Sequence, residues 1–579
     1  MRSGDYLAAF DLAERAAGEF SGDLQFEYVA TLALARSNAT EQAARRYNRA
    51  LRDHVLAPLN DLAIDILSLG ARIAKDQAFR ASRARSGDAL RDASRAYGAV
   101  FEQTRAAFPA INAATLAMLA DELGAAHAFA HLAINAAERE MPESPIAQYY
   151  RMATLAEAHL VLGSVVEAEA ALGRAVEFAP KEFAAHTTTL RQLRRLARHL
   201  GLATGFLACL KAPSSIHYAG HRFSANFPAH EESRVADEIA NVFAERSVGF
   251  AFGSLAAGAD ILFAEAALQR GCGLHVVLPF RRDDFIRLCV GPSGAQWVDR
   301  FSRCIEHADH VSYATMEGSL GDDAPYGYAS RLAMGLATLQ ASHLLSEVHQ
   351  IVVWDGVSSA ENAAAGTWVD MNAWREAGRQ TEVIHVAAGQ RQSAEPRQDV
   401  GGRRTARALL FGDMRGFSKL RDAQLMTFTR EVLGACARVL DRFDGIGLRN
   451  TWGDGLFVVM EDAPSAAACA LDLQEAIAAI DLASAGLPTD ISLRLAAHFG
   501  PVFSCIDPIT RTQNYFGEHV SRTARVEPVT PEGSVYVTES FAAEIALRSG
   551  LDFRCEYVGQ IDSAKGYGKF RMYALMRGR

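Results

Sequence analysis

The sequence predicts a multidomain protein that changes architecture twice: an all-α helical repeat region, an α/β middle domain and an α+β C-terminal domain. Three observations carry this reading. Small residues recur at a fixed spacing in the first two hundred residues, and from about Ser215 short apolar runs alternate with amphipathic stretches. After about Arg407, two strand-like runs in LRNTWGDGLFVVM meet at Gly453-Asp454, a two-residue hairpin signal. A chain of 579 residues is too long for one core. The expected boundaries are 1–212, 213–388, a linker at 389–405, and 406–579.

In the helical region, Ala9 and Ala16 follow Gly4-Asp5-Tyr6, and the same pair recurs 34 residues later as Ala43 and Ala50. A third copy stands in LGSVVEAEAALGRAVEFAP, with Gly163, Ala168 and Ala175 at the same offsets and Pro180 at its end. Small residues at fixed points of such a unit let two helices approach closely, and this resembles the tetratricopeptide repeat. Between about Ala57 and Ser144 the chain is helix-like without a clean register, so an ordinary helical bundle is the alternative. Both readings imply a packing or protein-binding surface, and hence a protein partner, without chemistry.

In the middle domain, the helix-like EESRVADEIANVFAERS leads to a strand VGFAF, a loop GSLAAGAD, a helix ILFAEAALQRG and a strand LHVVLPF; IVVWDG and TEVIHV follow as further strands. Such alternation predicts a Rossmann-like parallel sheet with its loops at the strand carboxyl ends. The loop Gly253 to Asp260 precedes a helix N-terminus, where backbone N–H groups can meet an anion. It lacks the Lys of a P-loop and the spacing of GxGxxG, so it gives no support to a nucleotide-hydrolase reading. The segment is similar to the SLOG/LOG-like Rossmannoid sensor domains, a resemblance that implies a small nucleotide-like ligand. The alternative is that its small residues only let a helix pack on the sheet.

The stretch AAGQRQSAEPRQDVGGRRTAR is polar and rich in Gln, Arg and Gly, and reads as a flexible linker separating the middle domain from the C-terminal domain. Beyond it, Leu425, Phe428, Val432, Cys436, Val439 and Phe443 recur at three and four residues, the buried face of a long helix. The hairpin around Asp454 comes next, then a helix through Ala466, Leu473 and Ile477, and a strand from Ile491 to His498. Tyr515-Phe516-Gly517 opens a short helix on which Ser521 and Arg525, four apart, share a face.

Asp413 and Asp454 are the candidate metal ligands. Each caps a strand-like run, in ARALLFGDMRGFSKL and LRNTWGDGLFVVM. Carboxylates at strand ends suit a pair of Mg2+ or Mn2+ ions, and paired ions suit in-line displacement at phosphorus. Taken alone, two Asp residues in turns are more often solvated turn formers. Their neighbours argue for chemistry: FGDMRGFS, NTWGDGLFVVM and NYFGEHVSRTARVEP resemble, in order and spacing, the three signatures of the class III nucleotidyl cyclase family.

The resemblance covers roughly Arg407 to Met576. It implies a ferredoxin-like catalytic domain that dimerises and converts a nucleoside triphosphate to a 3′,5′-cyclic monophosphate and pyrophosphate. It further implies that Asp413 and Asp454 hold two ions, that Gly416 and Phe417 lie close to the triphosphate, and that Arg525, assisted by Ser521, stabilises the transition state from the other protomer. In AKGYGKFRMY it places Lys565 on the β- and γ-phosphates, with Lys569 as the alternative. The base-reading positions fall on Asn450 and Asn514.

Ser521 stands where the family commonly has Asn, and it reaches less far. Asn450 and Asn514 stand where adenylate cyclases usually carry Lys and Asp, and guanylate cyclases Glu and Cys. An amide offers both a donor and an acceptor, so this pair selects no base by polarity alone. ATP is the expected substrate by analogy with the family. The alternatives are a pyrimidine triphosphate, CTP or UTP, as in antiviral signalling cyclases, and a catalytically inactive nucleotide-binding scaffold.

A net charge of -9 gives no reason to expect nucleic acid or an anionic membrane as partner. The eight Cys are scattered without a CxxC pair, as reduced thiols of a cytoplasmic protein would be. No apolar run approaches the ~20 residues of a membrane span, and MRSGDYLAAFDLAER does not read as a signal peptide.

Overall fold

The computed structural model describes residues 6–20, 22–36, 40–53, 61–80, 83–357, 365–387, 404–548, 550–562 and 569–578. They form two compact units, Met1–Ala212 and Pro213–Arg579.

The first unit is all helical among its described residues, apart from turns. Consecutive helices pack on one another, and of the alanines singled out in the sequence Ala43, Ala168 and Ala175 have no exposed surface, while Ala9, Ala16 and Ala50 are half-buried. Ala43 and Ala44 lie in a cluster with Leu34, Ile66, Leu69 and Ile73, which joins the Leu24–Arg36, Thr40–Ala50 and Asp61–Arg80 helices. Small side chains at these points allow the close approach that larger ones would block. Glu157 is half-buried with its carboxylate accepting from Thr115 and Gln192, and desolvation pushes its pKa up.

The second unit holds two sheets. The first has six strands: β1 (Ser214–Gly220), β2 (Val248–Gly253), β3 (Gly273–Leu278), β4 (His310–Tyr313), β5 (Val348–Trp354) and β6 (Thr381–His385). All neighbours are parallel, in the order β4-β3-β2-β1-β5-β6. Both faces are covered, as an all-parallel sheet requires. Ile216, Tyr218, Ala251 and Val276 meet the Ala229–Glu245, Ala259–Gln269 and Ala295–His307 helices on one side, while Phe252 and Val277 meet the Ala324–Leu344 helix on the other.

The second sheet has eight strands: β7 (Arg404–Arg415), β8 (Ile446–Trp452), β9 (Gly455–Met460), β10 (Ser492–Ile506), β11 (Gln513–Phe516), β12 (Val535–Thr538), β13 (Phe553–Asp562) and β14 (Lys569–Arg577). The order is β13-β14-β12-β10-β7-β9-β8, with β11 paired to β10. Between β7 and β8 the predicted long helix is present, with a π turn at Thr429–Leu433, and Phe428, Val432, Cys436 and Val439 are buried as its period predicts.

The two sheets are not separate bodies. Phe252, Val277, Tyr328, Ala333 and Leu336 belong to the same apolar core as Leu410, Val458, Phe499, Phe541 and Ala543. The expectation of a linker that holds the two domains apart is therefore corrected. Residues 388–403 lie outside the described residues, but the last two positions assigned to the linker, Arg404 and Thr405, are strand. Arg404 is buried because it pairs with Asp322 through two bonds of 2.7 and 3.0 Å and lies over the Phe503 ring. Thr405 pairs with Val502. Among the described residues no helix is long and apolar enough to cross a membrane.

Candidate active site

Strand alternation sets the site. Leu409, Phe411 and Asp413 share one face of β7. Leu409 and Phe411 pack there with Phe457, Val459, Val502, Tyr515 and Val520 in a small cluster, so Asp413 continues an apolar row to the strand end. Asp413 stands opposite Gly455 on β9 and Arg494 on β10. Gly453, at φ +84°, makes the β8–β9 turn, and the Asp454 carbonyl accepts from Met414 N–H at 3.1 Å. The two candidate ligands are thus brought together by one antiparallel pair.

The same corner holds two residues that the sequence did not single out. The Arg494 guanidinium bonds Asp413, its cross-strand partner, and lies 3.0 Å from the carboxylate of Glu527. Burial pushes the Glu527 pKa up, Arg494 opposes this, and the charges of Asp413 and Asp454 add to the rise. Two carboxylates, Asp413 and Glu527, therefore meet one arginine. Pattern alone does not bring Arg494 forward, because it reads as an alternating outward residue of an ordinary strand.

Gly416, at φ +87°, turns the chain after β7, and Phe417 follows with its ring edge-on to Phe428 at 5.1 Å. The Phe417 ring also lies 3.5 Å from where a side chain at Gly453 would begin, so the two turns pack on each other.

Ser521 and Arg525 are exposed on the Glu518–Val526 helix, whose buried stripe is His519, Thr523 and Val526. Among the described residues Arg525 has no ion-pair partner, and it is not among the charges that act on Glu527 two residues on. The buried stripe is fixed by a polar chain: His519 Nδ1 meets His498 Nε2 at 2.7 Å, and His498 Nδ1 meets Thr538 Oγ1 at 2.8 Å. Burial holds both imidazoles well below their usual range, with Arg522 adding in the same direction.

Asn450 lies exposed on β8 opposite Phe457. Asn514 on β11 donates to Asp507 at 3.0 Å, and its amide oxygen accepts from Tyr515 N–H at 2.8 Å, so both ends of the amide are engaged locally. Lys565 lies outside the described residues. Lys569 begins β14 opposite Asp562.

Hard carboxylate oxygens are the donors Mg2+ and Mn2+ prefer, and Mg2+ commonly takes one or two protein carboxylates and fills its remaining positions with water and substrate phosphate. Asp413 and Asp454 fit that donor set. No cluster of three or more His, Cys, Asp or Glu residues shaped to hold a metal occurs among the described residues.

The family described as adenylate and guanylate cyclase catalytic domain matches residues 404–577, and the family described as Tetratricopeptide Repeats-Sensor matches residues 5–117. A curated relative, the putative adenylate cyclase 3 of Rhizobium meliloti (strain 1021), is 29% identical over 156 residues, which is 26% of this chain and 25% of that protein. The chain thus spans about a quarter of the length of the relative it matches. Among solved structures, the adenylyl cyclase CyaB from P. aeruginosa is similar at 17% identity and a TM-score of 0.28, over 31% of this chain and 98% of its own. The guanylate cyclase domain of RhGC from Catenaria anguillulae, solved in complex with GTP, gives 20% identity and a TM-score of 0.27, over 30% and 97%. The first unit thus carries a tetratricopeptide repeat-sensor region, and residues 404–577 are a catalytic domain of the adenylate and guanylate cyclase family.

Proposed function

We propose that the protein is a nucleotidyl cyclase that converts a nucleoside triphosphate, ATP by preference, to the 3′,5′-cyclic monophosphate and pyrophosphate for intracellular signalling. The observation that carries this is the placement of Asp413 opposite Gly455, with the Asp454 carbonyl held by Met414 N–H, beside the Gly416-Phe417 turn and inside the matched domain. The ribose 3′-oxygen loses its proton and bonds the α-phosphorus, and the bond from that phosphorus to the pyrophosphate oxygen breaks. Asp413 and Asp454 would hold two Mg2+ or Mn2+ ions, which when bound would supply charge neutralisation for this displacement.

The triphosphate backs onto the Phe411–Phe417 segment, and Lys565 binds its distal phosphates. Arg525, with Ser521 beside it, meets the α-phosphate bound to the other protomer of a homodimer. Its outward placement, without an ion-pair partner among the described residues, supports that role, since a guanidinium is best placed to stabilise charge that grows during the reaction. The catalytic core is read as ferredoxin-like, because β7–helix–β8–β9–helix–β10 assembles in the order β10-β7-β9-β8. The middle sheet is read as a Rossmann-like sensor for a small nucleotide-like ligand, because its strand order reverses between β1 and β5.

A second reading, a CTP or UTP cyclase, rests on Asn450 and Asn514 standing where adenylate cyclases usually carry Lys and Asp, with the Asn514 amide held by Asp507 and by Tyr515 N–H. Incubation of the purified protein with ATP, GTP, CTP and UTP separately in Mn2+, with products identified by mass spectrometry, decides between them. No cyclic product from any of the four overturns the cyclase reading.

A further inference from the structure

Between β4 and the Ala324–Leu344 helix, the chain leaves the carboxyl edge of the parallel sheet and runs onto the catalytic domain. Thr315 is buried there, and its hydroxyl direction is fixed by its two neighbours: Oγ1 accepts from Glu317 N–H at 3.1 Å and donates to Glu518 Oε2 at 3.1 Å. Met316 N–H reaches the same oxygen at 3.4 Å. The other carboxylate oxygen of Glu518 accepts from Arg522, through Nε at 3.0 Å and through a second guanidinium nitrogen. Glu518 opens the helix that carries Ser521 and Arg525, and Glu518 and Arg522 form the stripe next to them.

The segment is pinned at both ends. Ser319 N–H donates to Asp284 at 3.2 Å, in the stretch that follows β3 on the same sheet edge. Asp322 holds Arg404, the first residue of the strand that ends at Asp413. Tyr328, just beyond, donates to the Phe499 carbonyl at 3.0 Å and packs edge-on to His519. One short segment of the middle domain therefore touches the helix bearing Arg525 and the strand bearing Asp413.

We infer that this segment is a positioning clamp for the catalytic helix, with Thr315 and Glu518 as positioning residues that set where Ser521 and Arg525 stand; the inference rests on the cyclase reading given above. The carboxyl edge of the middle sheet thereby controls turnover through helix placement, without touching substrate. A displacement of a reacting group by about 1 Å costs on the order of a hundredfold in rate. Losing one of two bonds to the Glu518 oxygen should act mainly on kcat, because Arg525 works on charge that develops after substrate is bound.

The test compares wild type with Thr315→Val, Thr315→Ser, Glu518→Gln and the Thr315→Val/Glu518→Gln double variant, all as full-length protein. Steady-state kcat and KM are read with the triphosphate the wild type uses, alongside amide exchange of residues 519–526. Thr315→Val and Glu518→Gln should each lower kcat roughly tenfold or more with KM changed less than about threefold, and the double variant should lose no more than the worse single one. Thr315→Ser, which keeps the hydroxyl, should restore kcat, and Thr315→Val should speed exchange in the helix. Unchanged kcat in folded Thr315→Val, failure of Ser to rescue, or unchanged exchange would overturn the clamp. If the wild type makes no cyclic product the cyclase reading falls instead, and the exchange comparison alone decides whether Thr315 holds the helix.

Discussion

Gly335 and Gly434 are both helical, yet adding a methyl group should move stability in opposite directions. A Cβ at Gly335, on the Ala324–Leu344 helix, would lie 2.4 Å from the Ala543 carbonyl oxygen and 2.6 Å from its carbon. Ordinary carbon contacts need about 3.5–4.0 Å, so the helix must retreat from the catalytic domain by about 1 Å or more. Overpacking of this kind costs about 1–3 kcal/mol, against a helix-propensity gain of at most about 1 kcal/mol for replacing Gly by Ala. The net expectation for Gly335→Ala is a loss of about 1–2 kcal/mol. At Gly434 the added Cβ would meet only the Arg438 guanidinium at 3.5 Å and the Thr429 carbonyl oxygen at 3.8 Å, so the propensity gain of about 0.5–1 kcal/mol should survive. All five Trp lie beyond residue 212, so their fluorescence during urea unfolding reports on the second unit alone. Gly335→Ala should lower the midpoint and Gly434→Ala should raise it. A Gly335→Ala protein as stable as wild type would refute the close packing of the two helices.

Asp413→Asn should reduce turnover in Mn2+ by roughly a hundredfold or more while urea unfolding shifts little, since the strand pairing is retained and Arg494 keeps Glu527 when the Asp413 charge is lost; near-normal turnover would remove Asp413 from the site. Asp413→Ala and Arg525→Ala should each be inactive alone, but an equal mixture, once exchanged, should recover about one quarter of wild-type activity, because half the dimers are mixed and each has one intact site of two. No recovery, with mixed dimers shown by native mass spectrometry, would mean that each chain completes its own site. Asp260, on the loop after β2, is buried, and its pKa is pushed up to about 7 by burial, with Asp370 adding to the rise and the Ala256 and Gly220 N–H groups opposing it. Its folded pKa lies above the unfolded value, so between about pH 4 and 7 the folded state holds the extra proton and stability falls as pH rises, by up to about 1.4 kcal/mol per pH unit. Asp260→Asn should flatten that slope and raise stability at pH 8; an unchanged profile would show that Asp260 does not titrate there.

The predicted elements of the catalytic domain were legible because each left a local signal. Gly453-Asp454 could only be a tight turn, and the three- and four-residue spacing from Phe428 to Val439 could only bury one helix face. The hairpin that the sequence announces sets Asp454 at its turn, but Asp413 meets it through the pairing of β7 with β9, which sheet order sets. Arg494 and Glu527 were not legible, because what joins them to Asp413 is the pairing of β7 with β10 and the packing of a helix end on that pair, contacts set by sheet order. Thr315 and Glu518 were hidden for the same reason, being about two hundred residues apart in the chain. Asn514 carries a contact that its place in the motif does not announce: Asp507, seven residues earlier in the chain, holds the amide that the family resemblance places at the base.

The shared core makes excision of the catalytic domain costly. A fragment cut at residue 404 would present Phe499, Phe541 and Ala543 to water, where the intact chain covers them with Tyr328, Ala333 and Leu336. It would also strand Arg404 without Asp322 and take Arg331 from Glu544, an acid that the intact chain keeps buried. Such a fragment should aggregate when made alone. Produced together with residues 213–387 it should reassemble, which would make the chain a natural split enzyme whose two halves report on each other's presence.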